Sequence, residues 1–393
     1  MIKYDIFLFT EVYYMNKNLK SDKLYSVEFM RFIFAVVIVY FHIIHVYIRS
    51  YSGDIAIFRR CYDNCVFAGS AVECFFIISG YFLFKSFQKR PDISVLEFSY
   101  NKITRLWPVV AVCLLIGTVF FEFDQYESLY NLFFIQSAGF VTHVVGILWY
   151  VSPLFIVMVF MFAFYKNTKD KKKYNLFLAV FVYFSYVMVI NFNPRIFDRN
   201  NIYGIFSSAV LRAIAGIGLG YLIAVVEKQI KSLEFVKNFK GNRIQNALIF
   251  IVISALEVIS FYHLMRHFFN SENSLSQQFY VVILFTVLFS CLLTKKGIFT
   301  LLFNNKFFGF LGKYSYSIYV MQEITFNIMK ETFWQYKDYA SSHFLRTIVI
   351  SVAFSVVFGI ASYYIVEKPC ALLLTKFGKK LFAKKENKLT VNS

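Results

Sequence analysis

The chain alternates between long apolar stretches and short polar breaks. Apolar runs recur at roughly 28–48, 65–88, 103–121, 143–165, 174–192, 205–226, 246–264, 278–294, 308–329 and 345–366. A helix needs about 20 mainly apolar residues to cross the hydrocarbon core of a bilayer. The pattern predicts an all-α polytopic membrane protein with about ten transmembrane helices. Segment 128–141, SLYNLFFIQSAGFV, is apolar but short, and reads as an interfacial or re-entrant piece. The polar breaks run to about 20 residues and include no linker or low-complexity block, so no separate soluble domain is expected. The expected organisation is an N-terminal tail over 1–24, a membrane domain over 25–370 and a basic tail over 371–393.

Composition strengthens this reading. Hydrophobic residues make up 58% of the chain and charged residues only 16%; a soluble domain carries about 25% charge. The 51 Phe and 28 Tyr suit lipid-facing and interfacial positions. The formal net charge of +18 is spread over alternate breaks: five Lys or Arg fall in 166–173 and five in 227–245, against none in 122–142 and one in 265–277. Alternation of this kind is a topology signal and places both termini in the cytoplasm. It argues against a nucleic-acid partner. The tail KFGKKLFAKKENK is expected to be solvated and to touch anionic membrane lipid. The N-terminus lacks a signal-peptide pattern, so the first span is expected to act as signal anchor. Cys74, Cys113 and Cys291 fall in apolar runs and read as small buried hydrophobes. Cys61 and Cys65 share a loop, where a disulfide is open and the C-x3-C spacing is weak evidence for metal.

Charged groups inside the apolar runs are the candidates for chemistry, because charge in hydrocarbon is costly. RFIFAVVIVYFH carries Arg31 and His42 in one predicted helix. Eleven helical steps leave them about 20° apart in azimuth and about 16 Å apart along the axis. Arg31 then lies near the cytoplasmic surface and His42 in the outer half. Glu73, in SAVECFFIISGYF, falls at similar depth to His42 on the next span. A carboxylate beside an imidazole can orient it as a general base; an ion pair that only joins helices is the equal alternative. His45 lies one turn beyond His42, but no third ligand accompanies it, and no metal is expected. Arg212 and Glu257 sit at matching depths on successive spans and suggest a structural salt bridge. AIAGIGLGYL carries small residues that allow close helix packing. Lys102 and Arg105, one turn apart in FSYNKITRLWP, serve as interfacial anchors or as phosphate ligands.

Several segments together resemble one family. They are EFMRFIFAVVIVYFH, SAVECFFIISGYFL, FSYNKITRLWP, LFFIQ with LWYVSPLFIVMVF, LGKYSYSIYVMQ and VEKP. In this order, over about residues 25–370, they are similar to the membrane acyltransferase 3 family of bacterial O-acyltransferases, some of which acetylate surface polysaccharides. Two positions depart from the family pattern. Lys102 stands where the first of two arginines is usual, which keeps the charge but loses the bidentate fork. Gln322 stands where histidine often ends the Ser-Tyr motif.

The resemblance implies transfer of acetyl from cytoplasmic acetyl-CoA to a hydroxyl of a cell-surface glycan, such as capsule, exopolysaccharide or O-antigen. On that reading Arg31, Lys102 and Arg105 hold the donor's phosphates. His42 with Glu73 acts as base, or His42 carries the acyl group covalently. Trp149, Tyr150, Ser315, Tyr316 and Tyr319 line the substrate pocket or simply pack. Glu367 and Pro369 close the last span. The partners are acetyl-CoA, the glycan acceptor and membrane lipid, with no permanently bound cofactor, and the location is a bacterial plasma membrane. The competing class is a carrier for a polysaccharide or lipid-linked sugar, for which no inverted repeat is visible.

Overall fold

The computed structural model describes residues 23–50, 56–138, 146–192, 201–202, 206–269, 279–332 and 343–391. Helices dominate. In chain order they are α1 Tyr25–Ser50, α2 Ala56–Cys65, α3 Ala71–Lys89, α4 Val95–Phe120, α5 Gln125–Leu132, α6 Val151–Asn167, α7 Lys171–Phe192 and α8 Ser208–Ser232. They continue with α9 Glu234–Asn238, α10 Arg243–Phe268, α11 Tyr280–Thr294, α12 Ile298–Phe303, α13 Lys306–Leu311, α14 Ser315–Thr332, α15 Phe344–Ser362 and α16 Lys368–Val391. One two-residue strand pair, Asn201–Ile202 with Phe206–Ser207, precedes α8. The protein is an all-α polytopic membrane protein.

Local sequence sets the helix starts. The Ser94 hydroxyl accepts from the Glu97 amide at 3.1 Å, and Asp124 accepts from the Glu127 amide at 2.8 Å. Asn242 and Gln245 form a reciprocal capping box at the start of α10. Each cap satisfies an amide that has no partner within its own helix.

Each predicted apolar run is occupied by helix, and eight helices among the described residues are long and apolar enough to span a membrane. The other two runs differ for physical reasons. The helix in 278–294 has only 15 residues. The run 308–329 breaks at Gly312–Tyr314, and α14 beyond it buries Ser315, Ser317, Gln322 and Thr325. An internal helix needs no lipid-compatible face, so α14 can carry polar side chains toward its neighbours.

Packing places α3 at the centre, with 13 of its 19 residues buried, against 5 of 26 on α10. α3 and α8 approach closely through glycine. A Cβ at Gly80 would collide with the Ile217 carbonyl, and one at Gly220 with the Ile77 carbonyl. The outer surface is apolar, with Phe160, Val180, Ile251 and Val349 exposed, while Glu73, Arg212 and Gln322 are buried.

The structure adds detail to two stretches. The basic tail is helical through most of its length as α16, with Lys376, Lys379 and Lys380 exposed. It runs on from α15 through a single π turn, Tyr363–Glu367, and packs against α4, with the Tyr100 hydroxyl donating to the Leu374 carbonyl at 2.8 Å. In 128–141, α5 is followed by turns with Phe134 and Ser137 at positive φ. Ser152 and Ser207 donate to the carbonyls of these two residues, so protein groups satisfy the irregular backbone. Residues 139–141 of that segment lie outside the described residues.

Candidate active site

The helix ends carrying Arg31, Lys102 and Arg105 surround an open cavity of about 1510 Å3. Nine basic side chains line it against three acids, Glu28, Glu97 and Glu367. α16 forms one wall through Lys368, Leu372, Thr375 and Lys379. This excess of positive charge around a recess attracts anions. α4 supplies Lys102 and Arg105 from adjacent turns, as their three-residue spacing requires.

A smaller cavity of about 250 Å3 adjoins it deeper in the bundle. Glu28, Arg31, Phe82, Lys102 and Arg105 line both. The inner cavity also presents Tyr150, Ser315, Tyr316 and Tyr319, with Val72, Phe75, Ile78, Leu154 and Met158 as its apolar wall. Seven of the ten residues singled out from the sequence thus meet around one space: Arg31, Lys102, Arg105, Tyr150, Ser315, Tyr316 and Tyr319.

Hydrogen bonds fix the wall. The Arg31 guanidinium bonds the Glu28 carboxylate at 3.0 Å, one turn back on α1. The Tyr316 hydroxyl donates to the Leu106 carbonyl at 2.6 Å and so ties α14 to α4. The Tyr319 hydroxyl donates to the Ile147 carbonyl at 2.6 Å. Glu323 accepts from the Ile147 amide at 3.1 Å, so α14 holds both backbone polar groups of Ile147, in the turn before Trp149 and Tyr150. Tyr150 is buried with its ring 4.7 Å from Phe76 and 5.4 Å from Tyr319. Ser315 donates to the Gly312 carbonyl at 2.9 Å, a local bond at the start of α14.

His42 lies farther along α1, half-buried, with Phe41 and Phe326 beside its ring. Its Nδ1 stands 3.4 Å from the Gln322 Oε1. Gln322 is one turn from Tyr319 on α14, so the inner cavity and His42 share a helix. His45 packs its ring near Phe41. Among the described residues, no cluster of three His, Cys, Asp or Glu side chains could hold a metal ion.

Two expected pairs are not formed. Glu73 does not hydrogen-bond His42: its Oε1 accepts from the Arg212 Nε at 2.6 Å, and its Oε2 has no hydrogen-bond partner. Arg212 does not pair with Glu257, whose carboxylate instead accepts from the Phe299 amide at 2.8 Å. Depth along a span does not name a neighbour. The glycine contact brings α3 and α8 together, whereas α10 lies at the periphery. Arg212 also stacks on Trp149, 4.6 Å from the ring centroid, so Trp149 packs against this ion pair and is not among the residues lining the inner cavity.

Sequence reasoning passed over Glu323 and gave Gln322 no role. Both stand in the predicted ninth run, and a charged residue in such a run is itself a signal. Glu367, expected only to close the last span, is buried, lines the large cavity and accepts from the Ser317 hydroxyl at 2.5 Å. Cys61 and Cys65 are unbridged on α2.

A family model described as an acyltransferase domain matches residues 24–365. The chain belongs to the acyltransferase 3 family. No curated protein and no solved structure matches it. Membership makes the protein a membrane acyltransferase, and the cavities are where such chemistry has room to occur.

Proposed function

We propose that this acyltransferase moves an acetyl group from cytoplasmic acetyl-CoA to a hydroxyl of a cell-surface glycan, and that it does so in a bacterial plasma membrane with both termini cytoplasmic. The observation carrying this reading is the continuity of the basic recess, the inner cavity and the helix that reaches His42. Coenzyme A is a phosphate-rich head on a long, narrow arm that ends in a thioester. Lys102 and Arg105, with Arg31 at the neck, receive the phosphates. The apolar inner cavity receives the arm.

His42 supplies the chemistry in one of two ways. As a base, it takes the proton of the glycan hydroxyl while the oxygen attacks the thioester carbonyl; the C–S bond breaks and coenzyme A leaves as its thiolate. As a relay, its nitrogen attacks the thioester first, and the hydroxyl then opens the acyl-imidazole. Both routes end with an O-acyl ester and coenzyme A. Glu73 takes no part as a hydrogen-bonding partner of His42. It neutralises Arg212 and joins α3 to α8.

Membrane vesicles from the producing cell carry the endogenous acceptor and provide the test. Given radiolabelled acetyl-CoA, wild-type vesicles are expected to gain label in glycan, and His42→Ala vesicles with equal protein content are expected to gain none. Normal labelling by His42→Ala would falsify the assignment of His42. Glycan movement without label transfer would favour a carrier.

A further inference from the structure

Resting on the reading of His42 as the reacting imidazole, we propose that Gln322 is a positioning residue that holds His42 in one tautomer, with the proton on Nδ1 and the lone pair on Nε2. Gln322 is wholly buried on α14. Its amide nitrogen donates to the Tyr319 carbonyl, one turn back, at 2.8 Å. A carbonyl oxygen only accepts, so turning the amide over would set two oxygens against each other. Oε1 therefore faces the other way, and there it meets His42 Nδ1 at 3.4 Å.

An amide oxygen also only accepts, so the hydrogen on this contact belongs to the imidazole. A neutral imidazole carries a single N–H. With that hydrogen on Nδ1, Nε2 is the basic atom, the one that takes a hydroxyl proton or attacks a thioester carbonyl. The requirement is the same for the base route and the relay route. The residue that orients the amide is Tyr319, which also lines the inner cavity and is anchored to Ile147. One helix turn thus couples the cavity wall to the proton placement on His42. Glu73, the group expected from sequence to orient His42, is engaged by Arg212, and Gln322 takes that place.

Two substitutions separate positioning from packing. Gln322→Leu keeps the bulk and removes the acceptor. Gln322→Glu keeps an accepting oxygen toward His42 and, when protonated, a hydroxyl that donates to Tyr319. In the vesicle assay Gln322→Leu is expected to lower kcat at least about tenfold, within the span of general-base effects, with the KM for acetyl-CoA unchanged. Gln322→Glu is expected to return kcat to within about threefold of wild type.

Nitrogen-15 spectra of histidine-labelled protein in bilayers read the tautomer directly. The chain has six histidines, and the His42 signal is the one lost in His42→Ala. Wild type and Gln322→Glu should carry the proton on Nδ1, and Gln322→Leu should show a mixture. A wild-type spectrum with the proton on Nε2 overturns the proposal even if no variant accumulates. Equal kcat in wild type and Gln322→Leu overturns it too, as does an equal loss in the Leu and Glu variants. Active His42→Ala vesicles would instead sink the functional reading on which the proposal rests.

Discussion

Glu73 Oε1 and Arg212 Nε stand 2.6 Å apart, with both side chains fully buried. The pair ties α3 to α8 beneath the Trp149 ring. Removing one partner leaves the other charge buried without its counter-ion, a loss of about 3–5 kcal/mol. Glu73→Ala and Arg212→Ala should each lower the amount of folded protein in the membrane. Replacing both by apolar residues of similar size should restore more of it than the two losses added together predict. Fluorescence-detected size-exclusion profiles of the four proteins check this coupling. Strictly additive losses would contradict it.

Lys102 and Arg105 face the same cavities one turn apart. If they hold donor phosphates, Arg105→Ala should raise the KM for acetyl-CoA about tenfold, the cost of about 1.4 kcal/mol in a charge-assisted contact. The effect should shrink as salt rises. Lys102→Arg supplies a planar fork and should leave the KM equal or lower. Initial rates over a series of donor concentrations decide both points, and an unchanged KM in Arg105→Ala would mark that arginine as an interfacial anchor.

The close approach of α3 and α8 leaves no room for a side chain at Gly220. Gly220→Val would drive its side chain into the Ile77 carbonyl, which belongs to a helix backbone and cannot rotate away. Overpacking costs about 1–3 kcal/mol where neighbours can adjust and more where they cannot. The variant should be lost from the membrane. Gly218→Val, whose neighbours are the Val182 and Leu178 side chains, should survive better. Immunoblots of isolated membranes, normalised to transcript, compare the two.

The Tyr319 hydroxyl reaches the Ile147 carbonyl at 2.6 Å. Tyr319→Phe keeps the ring against Tyr150 and leaves that buried carbonyl without the hydroxyl donor. Stability should fall by about 1–3 kcal/mol, read as a lower melting temperature in detergent. A melting temperature equal to wild type would mean that Glu323, which holds the amide of the same residue, suffices alone.

Much of the candidate site was legible because its chemistry is written locally. Arg31 and His42 share a helix, so their spacing along α1 follows from residue counting alone. Lys102 with Arg105, and Tyr316 with Tyr319, are neighbours by the same helical arithmetic, and all four meet at the inner cavity. Partnership across helices was a different matter. Depth alone pairs Glu73 with His42 and Arg212 with Glu257, yet rotation about each helix axis and the choice of neighbour decide which groups touch. Gly80 and Gly220 settle both for α3 and α8 by letting the backbones meet. Gln322 stands out in the sequence only as a departure from the family motif; its contact with His42 joins two helices and is not written in either one.

The sequence by itself determined that the chain crosses a membrane many times, where its helices lie, and which few polar side chains must be kept from lipid. Hydrophobicity and helical period are properties of neighbouring residues, and they need no partner to act. Only the tertiary structure decided which of those side chains meet. In a bundle, each buried charge takes the counterpart that packing brings within reach, and packing is a property of surfaces that no single helix contains. That is why Glu73 stands with Arg212 and His42 with Gln322.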